Sequence, residues 1–208
     1  MLTVVGNLKG GTGKSTVAFN LAVWLAHDKI GVKVFDLDPQ CTLVDVNEVR
    51  TEDGYEPGFE VSTDLAELEA AAKDKKRKQP IIVDMSATNM FAMEKAISLA
   101  DRILIPIQPS QADIWSTQRF LKIVNNNINK KTTEVLGFLN RADTHIGVRE
   151  TDEAEQALHM MQGIKPVGIR LHQRTAYRRS FSEGLGVFEL DPMGKASKEM
   201  KKLAAMLD

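Results

Sequence analysis

The chain has 208 residues, of which 43% are hydrophobic and 26% charged, with a formal net charge of −1; this is the composition of a soluble globular protein large enough to bury a sizeable core, and it excludes a globally basic nucleic-acid binder. The one cysteine, Cys41, excludes an intramolecular disulfide or a cysteine metal cage and fits a reducing, cytosolic setting. No run approaches 18 apolar residues and the N-terminus leads straight into a strand, so neither a membrane span nor a signal peptide is expected.

Leu2-Thr3-Val4-Val5 reads as a short strand that stops at Gly6, and a glycine-rich stretch follows. Val17, Leu21, Trp24 and Leu25 then recur at helical spacing over Thr16 to His27. Gly31 breaks that helix, and Val32 to Phe35 opens a second strand running into Asp36-Leu37-Asp38-Pro39-Gln40. Residues 51–60, TEDGYEPGFE, read as a surface loop. A helix is expected from Asp64 to Lys75, ending in the cluster Lys75-Lys76-Arg77-Lys78, where cations suit a helix C-terminus.

Ile81-Ile82-Val83-Asp84 is a continuous apolar run closed by an acid, as in a strand buried on both faces. A helix over 89–100 leads to the strand Arg102 to Ile107, and one over 112–126 leads to the strand Val135 to Asn140. A helix over 151–161 leads to the strand Val167 to Leu171, and a last helix is expected over 195–207. Strand and helix alternate without repeat or long linker, which predicts one doubly wound, mostly parallel α/β domain over residues 1–208, with helices on both faces of the sheet. Ligands bind such sheets at the carboxyl ends of the strands, where these acidic and glycine motifs lie.

The stretch from Lys9 to Thr16 reads KGGTGKST. Gly10, Gly11 and Gly13 allow consecutive backbone N–H groups to converge on an anion at a helix N-terminus. Lys14 can then neutralise terminal phosphates, and the Ser15 hydroxyl can coordinate Mg²⁺. The usual pattern wants a glycine at position 8, where Leu8 stands, with a second lysine, Lys9, beside it. Asp84 ends its strand where a carboxylate can hold a metal-bound water. Asp36 and Asp38 alternate at a strand end, so they point to opposite sides and take different roles, one toward a metal shell and one toward an attacking water.

Lys9 to Thr16 matches the deviant Walker A sequence K-G-G-x-G-K-[ST], and Asp36 to Gln40 matches its companion D-x-D-P-Q. Together with Ile81 to Asp84, the chain resembles the ParA/MinD family of P-loop ATPases over nearly its whole length, most closely the small partition ATPases and their relatives that position carboxysomes. The resemblance implies Mg²⁺-dependent hydrolysis of ATP in a nucleotide-sandwich homodimer, cytoplasmic and associated with the nucleoid. It implies that Lys9, Gly10, Gly11, Thr12, Gly13, Lys14, Ser15 and Thr16 bind ATP, with Lys9 reaching the phosphates of the partner subunit. Lys9, Lys14 and Asp38 then serve catalysis, Asp38 orienting water, while Ser15, Asp36 and Asp84 serve the metal. Met85-Ser86-Ala87 departs from the proline that many members carry soon after the acid. Asn140, after a buried strand where P-loop proteins often read the base, is expected either to lie beside the adenine or to form a plain strand-end turn.

Residues 170–179 read RLHQRTAYRR. Arg170, Arg174, Arg178 and Arg179 suit phosphate oxygens and occupy the place where ParA-like proteins contact non-specific double-stranded DNA, unless acids such as Glu183 and Glu189 neutralise them. The resemblance also implies a cargo adaptor of ParB or McdB type. Two other classes compete, a MinD-like membrane cycle and a metabolic enzyme on the same fold. Met200, Leu203, Ala204, Met206 and Leu207 form an apolar face on the last helix, which reads as packed on the domain rather than as a membrane anchor.

Overall fold

The computed structural model describes residues 1–145 and 149–206. Its seven strands are β1 (Leu2–Val5), β2 (Lys33–Asp36), β3 (Val61–Ser62), β4 (Ile81–Asp84), β5 (Arg102–Ile107), β6 (Glu134–Ala142) and β7 (Lys165–His172). They form a single sheet in the order β3-β2-β4-β1-β5-β6-β7 with every pair parallel. The helices among the described residues are α1 (Lys14–Ala26), α2 (Thr42–Glu52), α3 (Leu65–Lys73), α4 (Met90–Leu99), α5 (Gln111–Asn127), α6 (Glu150–Met160), α7 (Thr175–Ser182), α8 (Val187–Leu190) and α9 (Lys195–Ala204).

Each face of the sheet has its own core. Leu68, Met93, Ile97, Phe120 and Leu158 bring α3 to α6 onto one face. Phe19, Leu21, Leu43, Met200 and Leu203 bring α1, α2 and α9 onto the other. A fully buried side chain of this size contributes roughly 1.5–3 kcal/mol, so the two layers carry the stability of the domain. The central strands are apolar on both sides because both sides are covered. Strand order reverses around β1, which has β4 on one side and β5 on the other. The loop after β1 therefore opens at the switch point of the sheet.

The expected elements from β1 to β7 are present with shifts of at most two residues at their ends, and β1, β4 and β5 have the expected bounds. Leu207, assigned to the last helix, lies outside the described residues, and α9 ends at Ala204. Four elements have no counterpart in the sequence pattern, among them the short helices α7 and α8 after β7; the other two lie between β2 and α3. One is the two-residue edge strand β3. The other is α2, whose buried face is Leu43, Val46 and Arg50. Arg50 is 1% exposed and breaks the apolar period. Its guanidinium donates to the carbonyls of Pro57 (3.1 and 3.2 Å) and Gly184 (3.0 Å) and to both oxygens of Glu189 (2.8 and 2.9 Å). These carbonyls and the carboxylate satisfy the guanidinium, which is what makes its burial tolerable.

The outer strands are irregular. β3 has only two residues. β7 carries Pro166, which has no N–H, and Gly168 at φ 66, and its pairing with β6 shifts register twice.

Candidate functional site

The loop between β1 and α1 is shaped by donors that take hold of its carbonyls. Gln108 Nε2 donates to Gly11 O at 2.6 Å, Asn140 Nδ2 to Thr12 O at 2.6 Å, and Lys14 Nζ to Lys9 O at 3.2 Å. The amides of Gly10 to Gly13 make no hydrogen bond among the described residues and remain available to an anion. Gly13 sits at φ 88, and a Cβ there would lie 2.4 Å from Asn140 Nδ2, so only glycine fits. Burial lowers the Lys14 ammonium below its usual pKa, against the opposing pull of Asp84 and Asp38.

The three acids differ. Asp36 ends β2 and is buried; its Oδ2 accepts from the amides of Leu43 (2.9 Å) and Val44 (3.3 Å), and its Oδ1 from Asp38 N (3.1 Å). Through these amides it caps the start of α2 and fixes the loop that carries Asp38. Asp38 lines the cavity above the phosphate loop together with Lys14, Ser15 and Gln40, its Oδ1 accepting from Gln40 N at 3.0 Å. Asp84 is 1% exposed, lies beside Asp36 across the β2–β4 ladder, and has no hydrogen-bond partner on either carboxylate oxygen. Burial above all, with the charges of Asp36 and Asp38, pushes it up to about 7, while the Ser15 hydroxyl and Lys14 act the other way.

Two orphaned oxygens facing a serine hydroxyl beside a phosphate cradle fit a hard dication, which Asp84 and Ser15 would hold. Among the described residues no group of three or more His, Cys, Asp or Glu side chains is placed to form a metal cage. An ion here must draw its other ligands from phosphate and water, the habit of Mg²⁺.

Lys9 points away from its own cradle. Its Nζ lies 2.5 Å from Asp113 Oδ2, a side chain with no exposure, while the lysine itself is 39% exposed. Ser110 donates to the same oxygen, and the other Asp113 oxygen is buried without a partner. Sequence reasoning does not find Asp113 as a site residue. Its only signal is the Ser110-x-x-Asp113 spacing of a helix N-terminus, where the Ser110 hydroxyl accepts from Asp113 N. That spacing announces α5 and says nothing about Lys9.

A cavity of about 300 Å³ covers the phosphate loop. A second, of about 260 Å³, adjoins it at Gly13, Thr16 and Arg141 and extends along Gln173, Thr175 and Tyr177. Together they offer a phosphate end and a nucleoside end. The β6–β7 register shift at Asn140/Ala142, with Arg141 at φ 55, turns neighbouring side chains toward this space. Asn140 lines the second cavity, but its amide is committed to Thr12 O. Asn140→Ala is expected to weaken nucleotide binding about tenfold by releasing the loop, given roughly 1–2 kcal/mol for a buried hydrogen bond, with little change in Tm. Titration with a fluorescent ATP analogue, alongside thermal unfolding, checks it.

The arginine run divides. Arg170 pairs with Asp152 (2.8 Å) and Glu155, Arg174 with Glu199 (2.6 Å), and Arg179 with Glu183 (2.8 Å). Glu183 is one of the two acids expected to neutralise the run; Glu189, the other, is engaged by Arg50 and His27 instead. Arg174 and Arg178 line the second cavity.

Residues 3–204 match the model of the CobQ/CobB/MinD/ParA nucleotide binding domain. The chain is 26% identical over 203 residues to the maintenance of carboxysome distribution protein A of Halothiobacillus neapolitanus, covering 93% of this chain and 89% of that one. It is 28% identical over 197 residues to protein ParA of Rhizobium radiobacter, covering 88% and 83%. The solved ATP complex of a McdA variant from Cyanothece superposes with a TM-score of 0.75 at 19% identity, over 99% of this chain and 95% of that one.

Proposed function

The chain belongs to the CobQ/CobB/MinD/ParA nucleotide-binding family, and from that premise we propose that it is an ATP-driven positioning protein of the ParA kind. Residues 1–208 act as a single ATPase domain in the cytoplasm, over the nucleoid. Two copies close face to face on two ATP·Mg²⁺, and the closed dimer holds double-stranded DNA without reading its sequence. An adaptor of ParB or McdB type bound to a cargo (a plasmid, a chromosome locus or a carboxysome) stimulates hydrolysis and release. The relatives that distribute carboxysomes and the ParA protein support the cargo-positioning part.

The observation that carries the dimer is the disposition of Lys9. A lysine inside a phosphate loop is turned out of its own cradle and left partly exposed. Lys14 already provides the cation in cis, which supports reading Lys9 as the cation that serves a second copy, where positive charge on a transferring phosphoryl has its largest effect. Mg²⁺ bound by Ser15 and Asp84 would neutralise charge on the phosphates. Asp38 orients the water whose oxygen attacks the terminal phosphorus, and the bond to the ADP oxygen breaks. The apolar face of α9 is occupied by the core, with Met200, Leu203 and Ala204 buried, and no helix among the described residues is long and apolar enough to cross a membrane.

Turnover per subunit is expected to fall as the protein is diluted below its dimerisation range. A rate that stays constant down to demonstrable monomer, followed by light scattering, overturns the reading. Asp38→Ala is expected to reduce turnover at least ~100-fold, in the range lost when a positioned base is removed. It should accumulate an ATP-bound dimer, visible by size-exclusion chromatography with retained nucleotide. Normal hydrolysis by this variant would remove Asp38 from the mechanism.

A further inference from the structure

In a sheet with every pair parallel, all strands start at one end, and this chain collects lysines there. Lys29 and Lys33 lie at the start of β2, Lys75, Lys76 and Lys78 lead into β4, Lys130 and Lys131 lead into β6, and Lys165 opens β7. All are exposed, and none takes part in an ion pair among the described residues. At the middle of this end, Arg102 at the start of β5 is bound to Glu134 through Nε and Nη2, while its buried Nη1 has no partner. The acids in the turns that enter the strands are Asp53, Glu56 and Glu60 before the edge strand β3, and along the lysine row itself Asp28, Asp74, Asp101 and the already paired Glu134. The whole chain has a net charge of −1, so this end is positive against a negative remainder.

Helix C-termini also lie at this end and favour cations, but that effect fades within the last turn. The last turns of α1, α4 and α5 contain no basic residue. The lysines stand beyond the helix ends, in the turns that enter the strands or, for Lys33 and Lys165, at the first residue of a strand. Helix dipoles do not account for them.

Building on the DNA-binding part of the proposed function, we infer that this lysine-bearing end, opposite the phosphate loop, is the surface that contacts the phosphate backbone of double-stranded DNA. From β2 to β7 the row crosses five inter-strand spacings, about 24 Å, or roughly seven phosphates of one strand. Its elongated form suits a rod of phosphates, and backbone contacts of this kind carry no sequence information. The arginine run competes poorly, because Arg170, Arg174 and Arg179 are neutralised by carboxylates. When two copies close through their phosphate-loop ends, the two lysine rows face outward from opposite poles. One dimer then bridges two DNA segments, and ATP controls the bridging by joining two singly weak attachments.

The test uses the full chain, random-sequence duplex and ATP across a salt series. The variants are Lys75→Glu/Lys76→Glu/Lys78→Glu and Lys130→Glu/Lys131→Glu, with the matching glutamine variants in case charge reversal disturbs folding. Basal ATP turnover, expected to be unchanged, reports folding. Each reversal is expected to weaken DNA binding at least ~10-fold and to flatten the slope of log affinity against log salt by about 0.9 for each phosphate no longer neutralised. ATP should also let bead-bound duplex capture a second, labelled duplex, and Lys9→Ala should abolish that capture. If the wild type binds DNA with ATP but both lysine variants match it while Arg178→Glu fails, the surface is misassigned. Retention on phosphatidylserine vesicles in place of DNA overturns it as well. Absence of DNA binding by the wild type in every nucleotide state instead removes the DNA-binding reading on which the inference rests.

Discussion

Lys9→Ala is expected to lower ATP turnover by about 10³-fold, the lower end of what a cation supplied by a partner contributes to phosphoryl transfer. Nucleotide binding to the isolated subunit should change by no more than about threefold, because Lys14 and the loop amides keep the interactions made in cis. The separation follows from the geometry: the Lys9 ammonium is 2.5 Å from Asp113, outside its own cradle. A fluorescent-nucleotide titration paired with steady-state turnover measures both. Equal losses in affinity and turnover would place Lys9 in its own site. Asp113→Asn supplies the opposite arm, since it removes the charge that holds the lysine while leaving the hydrogen bond with Ser110 possible. An ion pair with a partly exposed lysine is worth about 1 kcal/mol or less. Freeing it should raise basal turnover by roughly threefold, and the gain should vanish in the Lys9→Ala/Asp113→Asn double variant.

Asp84→Asn is expected to stabilise the nucleotide-free protein at pH 8 while crippling Mg²⁺-dependent hydrolysis. The Asp84 carboxyl is pushed up to about 7 by its burial, against roughly 4 for an unfolded aspartate. A carboxyl with a raised folded pKa makes the folded state bind its proton more tightly than the unfolded state does. Stability contributed by this group is therefore highest below the unfolded value and declines as pH rises from about 4 to 7, with the full penalty present above 7. The penalty is on the order of 2–4 kcal/mol. Denaturant melts at pH 5.5 and 8 in the absence of Mg²⁺ read it directly: the wild type should lose stability between them more steeply than Asp84→Asn. In the same window Mg²⁺ with nucleotide should protect the wild type increasingly as pH rises, and the variant little. Matching pH slopes for the two proteins would show that Asp84 is ionised at no cost in the folded chain.

The central strands and the phosphate loop are legible in the sequence because their signals are local. Runs such as Ile81 to Asp84 need only be apolar and end in an acid, and the loop needs glycines and lysines at fixed spacing. Interactions that join distant segments are not legible in this way. Asp113 lies 104 residues from Lys9, and Gln108 lies 97 from Gly11. Nothing in either neighbourhood signals the other. The place of Asn140 after its strand points to the cavity it lines, but its hydrogen bond to Thr12 O, 128 residues away, has no signal in the sequence. Helix α2 is hidden because one position of its buried face is Arg50, a residue that a hydrophobic period counts as surface. The partners of the arginine run are only partly legible: Glu183 is a neighbour in sequence, whereas the acids that pair with Arg170 and Arg174 come from α6 and α9. The lysine row is not legible as one surface, even though Lys75, Lys76 and Lys78 stand out as a local cluster, because its members are scattered through the sequence and meet only when parallel strands begin at a common end.

The irregular outer strands bear on how crowded this protein can become. A long, flat edge strand is a template for pairing with another chain, and the hazard grows with local concentration. Here one edge is a strand of two residues, too short to seed a ladder, and the other is broken by Pro166, by Gly168 at φ 66 and by two register shifts. Under the proposed function, copies packed side by side on DNA would reach high density without growing into fibrils through their sheets, and self-association would be left to the nucleotide-dependent face.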